Sequence, residues 1–114
     1  MPGFEQLEVW QRSVELSAKV YKVMADSRDY GFRDQITRAG LSIPSNIAEG
    51  MERQTAADKI KFMDYARGSA GELRTQAIVG EKAGLITPET SRQWVEESRQ
   101  ISAMIQGLIR SLRS

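Results

Sequence analysis

The chain has 114 residues, 40% hydrophobic and 27% charged, with 16 basic against 15 acidic side chains and a net charge of +1. That length fits one domain over residues 1–114, large enough to bury a core unaided, and the composition is neither that of a disordered chain nor that of a membrane protein. Cysteine and histidine are both absent, which excludes disulfides, thiolate chemistry, cysteine-bound metals, Ser-His-Asp catalysis and the Glu-x-x-His di-iron sites of helical bundles.

No apolar run approaches a bilayer span and no secretory-type leader opens the chain, so a cytoplasmic protein without membrane contact is expected. No cofactor is expected either. The even charge balance does not by itself point to nucleic acid.

The first segment, Glu5 to Asp26, has helical spacing, with Leu7, Trp10, Val14, Tyr21 and Met24 as its inward line and Ser17 filling the remaining step. Asp26 to Gly31 forms a polar turn closed by glycine. The second segment, Phe32 to Arg53, points Ile36, Ala39 or Gly40, Ile43, Ile47 and Gly50 or Met51 inward. Pro44 removes an amide proton and crowds the carbonyl of Gly40, which predicts a kinked helix, with two short helices as the alternative.

Thr55 and Asp58 resemble a capping box at the start of the third helix. Its inward line, Met63, Ala66, Ala70, Leu73, Ala77, Gly80 and Gly84, is built mostly from small residues and predicts a close helix contact. Gly84 can end that helix in a left-handed conformation, and Thr87 with Pro88 can cap and start the fourth. Trp94, Ser98, Ile101, Ile105, Leu108 and Leu112 then recur in steps of four and three, a heptad seam. Four helices with short connections predict an all-α, antiparallel up-down-up-down four-helix bundle.

Helix one carries more apolar surface than one face needs. Val9, Leu16 and Val23 repeat every seven, about 200° around the axis from the first line, with Val20 nearby. Tyr65, Val79 and Ile86 lie off the inward line of the third helix. A helix apolar on two sides is usually covered on two sides, so these seven residues are the expected subunit interface. The plainer alternative is that helix one is simply central.

A polar set stands out on helices two and three: Ser45, Asn46, Glu49 and Arg53, then Ser69, Glu72 and Gln76. The favoured reading is a hydrogen-bonded network fixing one helix against the other, because buried polar groups must be satisfied. A binding or catalytic pocket is the other reading. Its acid–base work would fall to Glu49, Glu72 or Tyr65, and no histidine, metal motif or phosphate loop supports it.

The stretches Phe4–Gln11, Ser42–Gly50 with Arg53, and Gly68–Leu73 with Gln76 resemble the bacterial four helix bundle protein family, whose founding members are encoded in intervening sequences of large-subunit ribosomal RNA genes. The resemblance covers nearly the whole chain. It implies a four-helix bundle assembling as a ring-shaped homopentamer. It also implies kinship with the accessory protein of diversity-generating retroelements, a basic pentameric bundle that binds nucleic acid and a reverse transcriptase. The expected function is therefore a non-enzymatic homo-oligomeric scaffold binding RNA or an RNA-associated protein, with Arg92, Arg99, Arg110 and Arg113 as candidate contacts. A protein–protein adaptor that touches no nucleic acid is the alternative.

Overall fold

The structure, a computed structural model, describes residues 3–114. A 3-10 turn at Phe4–Gln6 precedes α1 (Glu8–Met24), α2 (Tyr30–Met51), α3 (Ala56–Lys82) and α4 (Pro88–Arg113), with no strand among the described residues. The bundle measures 44 × 20 × 19 Å, and none of the described helices is long and apolar enough to cross a membrane.

Each boundary has a local cause. Leu7 is extended between the opening turn and α1, so the first helix starts three residues later than its spacing predicts. Asp29 accepts from the Phe32 backbone N–H at 3.0 Å, which starts α2 at Tyr30 and places Gly31 inside the helix rather than at the end of the turn. Thr55 accepts from Asp58 N at 3.1 Å and Thr87 from Thr90 N at 3.1 Å, so α3 and α4 both open on threonine caps. Gly84 sits at φ +77°, the left-handed region where a Cβ is costly. α2 runs unbroken through Pro44 as one helix.

Neighbouring helices are antiparallel. Gly50 lies against Met63 while Phe32 lies against Gly80, which orients α2 and α3 in opposite directions. Arg67 bonds Gln106 while Ser91 Oγ donates to the Ala77 carbonyl at 3.0 Å, which does the same for α3 and α4. α1 packs on α2 and, more slightly, on α4, so the four helices close into a bundle.

The core is Ile36, Ala39, Ile43 and Ile47 of α2, Met63, Ala66, Ala70, Leu73 and Ala77 of α3, and Trp94, Ile101, Ile105 and Ile109 of α4. The α2 and α3 inward lines lie as their spacing predicts, except that Gly84 is exposed in the turn beyond α3. On α4, Ile109 is buried and Leu108 and Leu112 are half-buried.

α1 departs from expectation. Its buried face is Val9, Ser13, Leu16, Ser17, Val20 and Met24, whereas Leu7 and Trp10 flank the core, Val14 is half-buried and Tyr21 is 45% exposed. The cause is the closeness of α2: a Cβ on Gly40 would stand 3.7 Å from Ser17 Cα. A crossing that tight admits serine and excludes tyrosine or tryptophan. Ser13 Oγ donates to the Trp10 carbonyl at 2.9 Å, so its hydroxyl is buried without being left unpaired.

Val9, Leu16 and Val20 therefore belong to the chain's own core and not to a subunit interface. Ile86, 7% exposed, is corrected in the same way. It folds back over Gly80, its Cγ1 only 3.3 Å from where a Gly80 Cβ would stand. Val23, Tyr65 and Val79 do stay outside, at 50%, 52% and 52% exposure.

Candidate interaction surface

The expected network between α2 and α3 does not form. Asn46 Nδ2 donates to the Ser42 carbonyl of its own helix at 2.8 Å. Arg53, two residues beyond the end of α2, pairs back onto Glu49 at 2.6 Å, and both side chains are about half exposed. Ser45 and Glu72 are exposed, and Ser69 is buried. Gln76 Oε1 is buried with no hydrogen-bond partner. Among the described residues, no hydrogen bond or ion pair joins these seven across the two helices.

The reason is the spacing of the helix axes. A Cβ on Gly50 would meet Phe62 Cβ at 3.0 Å and the Lys59 carbonyl at 3.2 Å. Helices that close leave room between them for alanine and glycine, and the Glu49 and Glu72 side chains lie outside the contact. Lys59 supplies a polar link that the spacing of the sequence did not suggest: its Nζ donates to the Met51 carbonyl at 3.0 Å and so satisfies the end of α2.

Around the α2–α3 turn the polar and aromatic residues gather differently. The Arg53 guanidinium lies 4.6 Å from the Phe62 ring centroid, and Phe62 meets Tyr65 edge to face at 5.5 Å. This arrangement ties the turn after α2 to the first half of α3 by stacking. Glu49 lies exposed and paired with Arg53, Glu72 and Tyr65 are exposed, and no group of three or more potential ligands among the described residues could hold a metal. Nothing in this arrangement assembles a general acid and base around an enclosed space.

The side where α1 meets α4 is open. Two-point contact closes one stretch of it: Arg12 donates from Nη2 to Glu97 Oε1 at 2.5 Å and from Nε to Glu97 Oε2 at 3.0 Å, and it also reaches Gln100. The hydrogen bond to Glu97 holds the guanidinium still further toward its charged form. Partial burial opposes this, and the charges of Glu97 and Glu8 add to it. A raised folded-state value gives stability that is lost only as pH climbs through it, above the range where arginine loses its proton. The guanidinium half of the pair therefore keeps its charge across the neutral range.

Beyond the clamp, α1 and α4 leave an open groove of about 690 Å³. Leu16 and Trp94, each 3% exposed, form its floor. Four carboxylates, Glu15, Glu89, Glu96 and Glu97, stand on its walls against two cations, Lys19 and Arg92. Sequence spacing gave no sign of it, because the residues that meet there lie some seventy to eighty positions apart.

The four arginines singled out on α4 are all exposed, and among the described residues none is in an ion pair. At about 100° per residue, Arg92, Arg99, Arg110 and Arg113 fall within a sector of about 60°. Residues 98–114 contain Arg99, Arg110 and Arg113 and no acidic side chain.

Comparison with known proteins agrees with this architecture. The profile of a family described as 23S rRNA-intervening sequence protein matches residues 5–107. No curated protein matches the chain. A crystal structure from Bacteroides thetaiotaomicron, of a protein with unknown function from the S23 ribosomal protein family, superposes with a TM-score of 0.83 at 26% sequence identity. The match covers 89% of this chain and 97% of that one.

Proposed function

The chain belongs to the 23S rRNA-intervening sequence protein family, and we propose that it is a non-enzymatic scaffold that works as an assembly of identical chains, closed as a ring of five. One observation carries the self-assembly: apolar surface persists outside a core that is already complete. Tyr21, Val23, Tyr30, Leu41, Tyr65, Ile78 and Val79 are each 41–61% exposed.

On α1 the excess is found on more than one side. Tyr21 and Val23 lie about 200° apart around the axis, on either side of the buried Val20–Met24 stripe. Isolated exposed apolar residues are ordinary, but a helix apolar on several sides is usually covered on several sides. The number five comes from the family resemblance.

A double substitution of exposed residues, Tyr21→Ser with Val79→Ser, tests the reading. It should lower the assembly's mass in light scattering while the circular dichroism of the helices stays unchanged. Unchanged mass would remove these residues from the interface.

The α4 arginines favour a second reading, that the assembly contacts RNA through phosphate. Filter retention of structured RNA should then weaken steeply as salt rises, because each phosphate contact releases a counterion. Binding that is indifferent to salt, or no binding, would dismiss it.

A further inference from the structure

The acidic groove and the acid-free end of α4 lie on the same chain and carry opposite charge. The groove offers an apolar floor, Leu16 and Trp94, beneath three carboxylates that Arg12 does not hold, Glu15, Glu89 and Glu96, and two cations, Lys19 and Arg92. Residues 98–114 offer Arg99, Arg110 and Arg113 with no carboxylate among them.

The two features cannot meet within one molecule. Arg110 follows Glu96 by fourteen residues on one continuous helix, about 21 Å at 1.5 Å per residue.

We infer that the α1–α4 groove of one copy receives the arginine-bearing end of α4 from a second copy, with Arg110 and Arg113 facing Glu89 and Glu96. This inference rests on the self-assembly reading and adds to its apolar surface a charged contact between copies. The contact joins two different surfaces, head to tail. Such a contact propagates from copy to copy and ends only when the rotation closes a ring. It also gives the arginines a carboxylate partner, so RNA phosphate and a neighbouring copy compete for the same side chains.

Charge reversal on each side tests it. One variant carries Glu89→Arg and Glu96→Arg, the other Arg110→Glu and Arg113→Glu, and circular dichroism shows that each is folded. In sedimentation velocity at low salt each variant alone should associate at least about tenfold more weakly than the unaltered chain, since like charges then face each other. An equimolar mixture should associate again, because each variant now complements the other.

Variants that sediment like the unaltered assembly, or folded variants whose mixture stays apart, would overturn the inference while leaving self-assembly standing. An unaltered chain that is monomeric would overturn both. If the Arg110 and Arg113 variant keeps its mass but loses RNA on the filter, those side chains serve phosphate and the inference fails.

Discussion

Gly50 and Gly68 are both helical glycines, yet replacing them with alanine should have opposite effects. Alanine is favoured over glycine inside a helix by about 1 kcal/mol. At Gly68 nothing lies within 4 Å of the added Cβ, so Gly68→Ala should stabilise the chain by about 0.5–1 kcal/mol in urea unfolding. At Gly50 the Cβ would meet Phe62 Cβ at 3.0 Å and the Lys59 carbonyl at 3.2 Å, and neither is the free end of a flexible side chain. Forced overpacking costs about 1–3 kcal/mol, so Gly50→Ala should be destabilising on balance. Equal effects at the two sites would mean that α2 and α3 are not as close as described.

Small residues were also what made α3 readable. Alanine and glycine at helical steps have little other reason to recur, and Met63, Ala66, Ala70, Leu73, Ala77 and Gly80 are all buried. On α1 the same logic was missed because Trp10 and Tyr21 drew the inward line. Ser17, on the expected inward line, does face Gly40, whereas Ser13 looks polar in the sequence and is buried because its hydroxyl donates to the Trp10 carbonyl.

Helix ends were legible wherever a cap carried them. Thr55 and Thr87 start α3 and α4 through side-chain oxygens, and Gly84 ends a turn at positive φ. These signals lie within a few residues of one another. The α1–α4 seam has no such signal, since Arg12 and Glu97 are joined only by the fold. Arg12→Ala should cost about 1 kcal/mol, because a half-exposed pair is worth little and its aliphatic stem adds some packing.

Trp94 is the larger anchor of the same seam. It is 3% exposed, and Trp94→Ala should cost about 3–5 kcal/mol in the same unfolding measurement. A loss at Arg12 matching that at Trp94 would mean that the seam is held by charge and not by burial. The polar residues of α2 and α3 differ from their expected network for a related reason. A sequence shows that Ser45, Glu49 and Glu72 fall on particular sides of their helices, but not how closely the axes approach, and it is that distance that turns them outward.

At the scale of the whole molecule the bundle satisfies its own core and still leaves apolar side chains in water. Val20, Ile36, Ile43, Ile47 and Ile101 are completely buried while Tyr30 is 61% exposed and Val23 50%. The excess was legible in the sequence as too many apolar residues on α1. Which residues form it was legible only in part: Val23, Tyr65 and Val79 stay outside, whereas Val9, Leu16 and Val20 turn inward and Tyr21 turns out. Assembly of several chains is the proposed cover for that excess. Sedimentation velocity of the unaltered chain across micromolar concentrations tests it most directly: a single species of several chains is predicted, and a species with the mass of one chain at every concentration would contradict it.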